Sequence, residues 1–558
     1  MTNLIPRNNT QWLYALVAFA VLLNFSGLFV TIMAPDGALY ATIAKTMVLH
    51  NNYTDLYAEG RNWLDKPHFT FWIIALSFKC FGFTTWAYKL PAILFLLMGA
   101  RYTYLFAKSL YNIQVALWSV LILLTAEHII ISNQDVRAEP YLTGLIIASV
   151  YHFYKAYKAN NGWHLIIGSA FAACAIMTKG MFAIIPIGGA LAGDMIIKKQ
   201  WRQLFNLRWL VAVILIGIFV LPEIYCLYQQ FDLHPEKVVF GHNHVSGIKF
   251  FFWDSQFGRF FNTGPIKGHG DPTFFIHTTL WAFLPWSLLL FAAIFQYFKQ
   301  KSKRIQQAEW YCICGSLLTF LVFSASKFQL PFYLNIVFPF FAILTAQYLY
   351  SVSGAKSLRA ITIIQKTIVV LLMVLIVVLQ YFFRPDSMTI VTGLILLVLF
   401  IAKFFIPTKL SNTPWERVAI TTFLAACIVN LYLNLAFYPS LLKYQSGSEA
   451  AMWINKNNPV KLPVVQCIRT NDYGYPLEFY LDQPLFTIDQ NGVGALPQKP
   501  FLMYGYPDNI DALKAKGWHI DSLKTFDRYW ITKLKPKFLN TKTRPETLEK
   551  VEVVLVKP

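Results

Sequence analysis

APDGALYATIAKTMVLHNNYTDLYAEGRNWLDKPHF, residues Ala34–Phe69, lies between a first apolar run, Trp12–Met33, and a second apolar block that begins at Phe69. It places Asp36, Asp55, Glu59, Arg61, Asp65 and Lys66 beside segments apolar enough to enter a bilayer. Charge at a membrane edge is costly unless it meets water, a counter-ion or a ligand, so it marks a functional site by default. The stretch reads as the floor of an active site, and the apolar helices around it as its scaffold.

The whole chain supports that scaffold. Of 558 residues, 56% are hydrophobic and 14% charged, whereas soluble domains carry about 25% charged residues. Mean hydropathy is +0.46. A net charge of +20 suits anionic lipid or nucleic acid. The cations sit between apolar runs, however, and no nucleic-acid motif accompanies them, so membrane lipids are expected partners and nucleic acid is not. The seven cysteines fall mostly in apolar segments, without CxxC spacing, which excludes a disulfide framework. Arg7 precedes Trp12–Met33 with no small-residue cleavage site, so this run is expected to be an uncleaved first span.

A span needs roughly 20 apolar residues. That length places spans near 11–33, 88–107, 113–131, 138–154, 163–178, 181–197, 209–228, 275–297, 309–326, 331–350, 366–382, 389–406 and 417–437, thirteen in all. Phe69–Phe83 is apolar but short and fits a helix lying in the interface. With a cytoplasmic N-terminus, one side collects Arg7, Lys108, Lys155, Lys198, Lys199, Lys301, Lys303, Arg304, Lys356, Lys409, Arg417 and their neighbours. The short loops opposite hold little beyond Arg137, Lys179, Lys327 and Arg384. This is the positive-inside bias. The expected location is the inner cell membrane, multi-pass, with the C-terminus extracytoplasmic.

The expected fold is a polytopic α-helical membrane protein of about thirteen transmembrane helices followed by a soluble α/β domain. Residues 1–440 form the membrane domain, with external loops 34–87 and 229–274; residues 441–558 form the periplasmic domain. That domain alternates β-rich runs (Val464–Ile468, Leu485–Ile488, Phe501–Tyr504, Tyr529–Lys533, Val551–Val556) with helices near 447–456 and 508–516.

Polar residues gather on the external side. Asp36 follows Pro35 and precedes Leu39, Ile43 and Met47 at helical spacing. It serves either as an N-cap, a role aspartate favours, or as a carboxylate base aimed into a cleft. Lys66, before Pro67, either snorkels at the interface or meets a lipid phosphate as a point charge. SNQDVRAEP (132–140) gathers Asp135, Arg137 and Glu139, either as an internal ion cluster or as substrate contacts. TKG (178–180) leaves Lys179 at the external face. FWDSQFGRFFNTGPIKGHGDP (252–272) carries Arg259 among aromatics, then Lys267, His269 and Asp271; arginine suits bidentate phosphate binding. SASKFQLPFYLNIVFP (324–339) carries Lys327 and Tyr333. Two histidines in a wet loop, His242 and His244, do not make a metal site. No metal is assigned and no cofactor is required; a divalent cation finds no ligand spacing here. Lys66, Lys179, Arg259 and Lys327 together suit an anionic headgroup whose tail stays in the bilayer, and a polyprenyl phosphate fits.

The ordered set PDGALYATIAKTM, DKPHFTFW, SNQDVRAEP, TKG, FGRF before LPWSLLL, and SKxxLPxYxxxxFP resembles the GT-C membrane glycosyltransferases that use polyprenyl-phosphate sugars. It is similar to the lipid A aminoarabinose transferases and the protein O-mannosyltransferases (glycosyltransferase family 39), over about residues 10–440. The resemblance implies catalytic roles for Asp36 and for Asp135, on the second acidic position. It implies donor-phosphate contacts from Lys66, Arg259 and Tyr333, with Lys327 as a further cation. Tyr40, Asp65, Arg137, Glu139, Lys179 and His269 are further candidates for substrate contact. The family often has Asp-Glu in the first loop; here Gly37 follows Asp36, which leaves the second carboxylate's role to another residue such as Asp65.

The implied activity is inverting transfer of a sugar from a polyprenyl-phosphate donor to an extracytoplasmic lipid A, envelope glycan or protein. A transporter or flippase of lipid-linked sugars is the alternative, but it calls for inverted repeats and midplane charges, and no repeat is visible. A membrane-anchored receptor or assembly protein does not call for so many spans.

Overall fold

The computed structural model describes residues 10–299, 308–467, 469, 473–489 and 496–557. Arg7, Lys301, Lys303, Arg304 and Ile468 lie outside the described residues. The chain begins with α1 (Gln11–Phe25), α2 (Asp36–Leu49), α3 (Phe69–Phe81), α4 (Thr85–Leu110), α5 (Ile113–Thr125), α6 (Glu127–Gln134), α7 (Glu139–Ala159) and α8 (Gly162–Lys179). Among the described residues, six helices are long and apolar enough to cross a membrane, or seven if α5 and α6, bent by 50°, form one span. Gln11–Phe25, Phe69–Phe81, Met181–Ile197, Ser287–Lys299 and Glu309–Ala325 are shorter apolar helices.

Several expected spans are interrupted, each for a local reason. The first stops at Phe25 and continues as turns to Pro35. The run 113–131 bends at Ala126, whose extended backbone ends α5. The run 275–297 divides into Phe274–Ala282 and Ser287–Lys299 around Pro285, a residue without a backbone donor. By contrast, the span expected at 366–382 starts eleven residues earlier, at Ala355. Its outer face exposes Leu371, Val374, Val377 and Val378, as a lipid-facing helix does. α7 is instead enclosed, with sixteen buried residues. Small residues permit the closest approach there: a Cβ on Gly144 would lie 2.2 Å from the Phe95 carbonyl oxygen of α4.

The loop over residues 50–68 is pinned to the apolar run that carries Glu223 and Gln230 through buried polar pairs. The His68 backbone N–H donates to Glu223 Oε2 (3.0 Å), its Nδ1 meets Glu223 Oε1 (3.0 Å), and its Nε2 meets the Thr54 carbonyl (2.9 Å). Gln230 pairs reciprocally with the Leu56 backbone, both bonds at 3.0 Å. These bonds fix the residues on either side of Lys66.

The C-terminal sheet contains β1 (Val464–Cys467), β2 (Leu485–Ile488), β3 (Phe501–Gly505), β4 (Ile520–Arg528) and β5 (Glu549–Val556) in the order β2-β1-β3-β5-β4. β1 runs parallel to β2 and β3, and β5 antiparallel to β3 and β4. Ser446–Asn457 and Tyr475–Tyr480 pack on one face, and Pro507–Ala515 on the other. The strand expected at Tyr529–Lys533 is a turn instead; the strand is Ile520–Arg528, whose mostly exposed side chains carry no apolar alternation.

Candidate active site

Asp36 is the first residue of α2, and the cap position is Pro35; no side chain caps the helix. The N-cap reading of Asp36 is therefore corrected. Its carboxylate pairs with Arg137 Nη1 across the turn between α6 and α7. The same guanidinium donates from Nε (3.0 Å) and Nη2 (2.6 Å) to Asp135 Oδ2. Phe332 carries Arg137 on its ring face, 4.2 Å from the centroid. Asp36 is 41% exposed and Asp135 only 4%, so Asp36 is the accessible carboxylate of the two. Burial pushes the Asp135 carboxyl above its ordinary value, and Arg137 opposes that rise. Asp135 Oδ1 has no partner among the described residues. A Cβ at Gly37 would lie 3.5 Å from that oxygen, so a glutamate here would begin against another carboxylate.

A second ion cluster has the opposite balance. Asp65 pairs with both Lys66 and Arg259, and so serves them as a counter-ion rather than joining Asp36. Lys179 pairs with buried Glu139, and its Nζ sits 4.1 Å from the centroid of the Tyr333 ring. Lys66, Lys179 and Arg259 share one crevice with Glu223. Lys179, Arg259 and Tyr333 share a second, of about 630 Å³, whose other walls include Leu142, Phe182, Phe323, Phe328 and Ile336. Arg259 Nε is buried and has no partner among the described residues. Tyr40, one turn after Asp36 and 3% exposed, lies within electrostatic range of Lys66, Glu139, Asp36 and Arg137.

Two sequence candidates fall outside this arrangement. The Lys327 side chain is exposed; its neighbours Ser326 and Phe328 line the cleft, while the Lys327 backbone N–H donates to the Phe260 carbonyl (3.1 Å). His269 is also exposed, between Gly268 and Gly270, which lie close against the backbone at 326–328. Sequence reasoning missed Glu223, Gln230 and Gln256. Glu223 was the findable one, a lone carboxylate inside an otherwise apolar run. Among the described residues no group of three or more His, Cys, Asp or Glu is placed to hold a metal.

The fold is one already seen in a solved protein. The chain superposes on ArnT of Cupriavidus metallidurans bound to undecaprenyl phosphate with a TM-score of 0.74 and 19% identity, covering 98% of both chains. The apo state of that protein gives a TM-score of 0.73 over the same coverage. Residues 65–225 match the family described as dolichyl-phosphate-mannose-protein mannosyltransferase. An uncharacterised protein of Aquifex aeolicus is 22% identical over 91% of this chain and 93% of its own length. Undecaprenyl phosphate-alpha-4-amino-4-deoxy-L-arabinose arabinosyl transferase 2 of Proteus mirabilis is 27% identical over 56% of this chain. The matched stretch spans 55% of that transferase's length.

Proposed function

We propose that the chain is an inverting glycosyltransferase of the cell membrane that moves a sugar from a polyprenyl-phosphate donor to an extracytoplasmic acceptor. The observation that carries this reading is the cleft shared by Lys179, Arg259 and Tyr333, cationic and aromatic at its polar end and walled by aliphatic and phenyl groups. A phosphate bearing a long prenol needs both surfaces at once. The unpartnered Arg259 Nε offers a donor to a phosphate oxygen, and Lys66 supplies the second cation once Asp65 yields.

Asp36 stands at the other cluster. The acceptor oxygen attacks the anomeric carbon opposite the phosphate, forming the new C–O bond as the anomeric carbon–phosphate oxygen bond breaks. The electron pair of the broken bond stays on polyprenyl phosphate, where Lys66 and Arg259 stabilise it; such stabilisation is usually the largest catalytic term. Asp36 accepts the proton of a hydroxyl acceptor. An acceptor that is itself an ionised phosphate needs no base, and Asp36 then only orients it. Arg137, tied to Asp135, sets the position of the Asp36 carboxylate.

Thirteen spans, a cytoplasmic N-terminus and an extracytoplasmic domain 441–558 complete the reading; the bias of loop cations supports the orientation. The acceptor is lipid A, another envelope glycan or a protein. Purified protein supplied with polyprenyl-phosphate sugar and envelope acceptors should release polyprenyl phosphate. Arg259→Ala should sharply reduce the release, and Asp36→Asn should do so when the acceptor is a hydroxyl. Movement of intact sugar-lipid across the bilayer without cleavage would favour a flippase instead.

A further inference from the structure

A second cleft, of about 660 Å³, opens where the C-terminal sheet meets the first external loop. Its position follows from the topology. β1 and β3 are parallel neighbours, and the chain leaves β1 towards the Tyr475–Tyr480 face but leaves β3 towards the Pro507–Ala515 face. Connections that part in this way leave a crevice at the carboxyl ends of the strands, where open α/β sheets bind ligands. Gln466 near the end of β1 and Tyr504 near the end of β3 line the cleft, and Ala34 and Pro35 close its far wall. The next residue is Asp36. Gln445 holds that wall in place, accepting from the Ala34 N–H (2.8 Å) and donating to the Ile32 carbonyl (2.9 Å).

The lining specifies a chemistry. Gln466 is fully buried, and its Oε1 has no partner among the described residues although the side chain lines the cleft. Native structures rarely leave such an acceptor unmet. Ser446 and Tyr504 present a hydroxyl pair 2.7 Å apart. Tyr473 and Trp530 meet edge to face, with centroids 5.9 Å apart, giving large apolar rings with polar tips. Arg528 is tied to Glu549 Oε2 at 2.6 Å, so its charge is already balanced. A hydrocarbon chain would strand these polar atoms, and a strongly anionic group would find no net cation. A saccharide satisfies both demands, with C–H faces for the rings and neighbouring hydroxyls for the amide and hydroxyl groups.

We infer that this cleft is a carbohydrate subsite that seats the sugar end of the acceptor and delivers its reacting group to Asp36. The inference rests on the transferase reading above for its role, and on the cleft alone for its ligand. It makes the acceptor a glycan or glycolipid headgroup.

The test is saturation-transfer NMR on the full chain in lipid nanodiscs, with N,N′-diacetylchitobiose as probe and undecaprenyl phosphate binding measured on the same samples. The wild type should transfer saturation to the disaccharide. Trp530→Ala and Gln466→Leu should each cut that signal about tenfold, with the melting temperature and undecaprenyl phosphate binding retained. Arg259→Ala should weaken undecaprenyl phosphate binding and leave the disaccharide signal intact. Absence of any wild-type signal, or equal signals from wild type, Trp530→Ala and Gln466→Leu, would overturn the subsite. Failure of the wild type to bind undecaprenyl phosphate would instead count against the donor reading, while the variants still decide the cleft.

Discussion

The two ion clusters of the candidate site use the same residue types in inverse proportion. Around Arg137, two carboxylates face one guanidinium, leaving a net charge of −1. Around Asp65, two cations face one carboxylate, leaving +1. Exposure singles out one member, since Arg137 and Asp135 are 15% and 4% exposed. Asp36 opens to solvent, whereas Asp65, Lys66 and Arg259 are 12%, 23% and 16% exposed. A donor phosphate needs the positive, partly desolvated cluster, and an incoming nucleophile needs the negative, accessible one. On the proposed function, chemistry on a phosphate leaving group is organised by charge count, with one spare unit of each sign in the two clusters.

Deleting the spare positive charge should do the most damage. Arg259→Ala should lower turnover by about 10²–10³, the usual loss when a preorganised donor to a developing oxyanion is removed, measured as polyprenyl phosphate released at saturating donor. Next comes the negative side: Asp36→Asn should cost about 10²-fold with a hydroxyl acceptor, within the range for a general base. With an ionised phosphate acceptor the loss should fall below about tenfold, so comparing the two acceptors reads the role of Asp36 directly. A smaller effect should follow Asp65→Asn. The resident carboxylate competes with phosphate for Lys66 and Arg259, so its neutralisation should tighten undecaprenyl phosphate binding severalfold and slow product release. Weaker binding in that variant would mean that Asp65 aligns the cations instead of competing for them.

The smallest effect concerns the joint between α2 and the C-terminal sheet. Lys45 Nζ donates to the carbonyls of Glu478 (3.0 Å), Phe479 (2.8 Å) and Leu481 (2.7 Å). Burial, with Glu59 nearby, holds the Glu478 carboxyl up to about 7. A carboxyl raised in the folded state contributes its full stabilisation below its ordinary value of 4.5 and loses it as pH rises through about 7. Hydrogen exchange over residues 475–481, corrected for intrinsic rate, should therefore speed up between about pH 4.5 and pH 7 and level off above that. Glu478→Gln should flatten the change.

The sequence made much of the site legible because charge is conspicuous in apolar surroundings. Asp36, Lys66, Asp135, Arg137, Lys179 and Arg259 each stand out against a hydrophobic background, and the fold brings them into two adjacent clusters. What it did not reveal was pairing. Nothing local to DKPHF says that Asp65 faces Arg259, 194 residues away. Lys327 misled for a related reason: its neighbours Ser326 and Phe328 line the cleft while its own side chain leaves it, and a one-residue offset decides which. The fold shows the same division. Long apolar runs gave their helices readily, while the break at Ala126 has no glycine or proline beside it to announce it. β4 (IDSLKTFDR) escaped notice because it is mostly exposed and has no apolar stripe to announce it. The helix Tyr475–Tyr480 is too short for periodicity to show, yet it carries the carbonyls that hold Lys45.

The central claim is that the Lys66–Arg259 cluster receives the donor phosphate within reach of Asp36. The most direct test is a structure of this protein with undecaprenyl phosphate bound. The expected result is a phosphate hydrogen-bonded to Arg259 and Lys66, Asp65 turned away from at least one of them, and the prenol running between Phe182, Phe323 and Phe328. A phosphate bound elsewhere, with the Asp65 ion pairs intact, would contradict it.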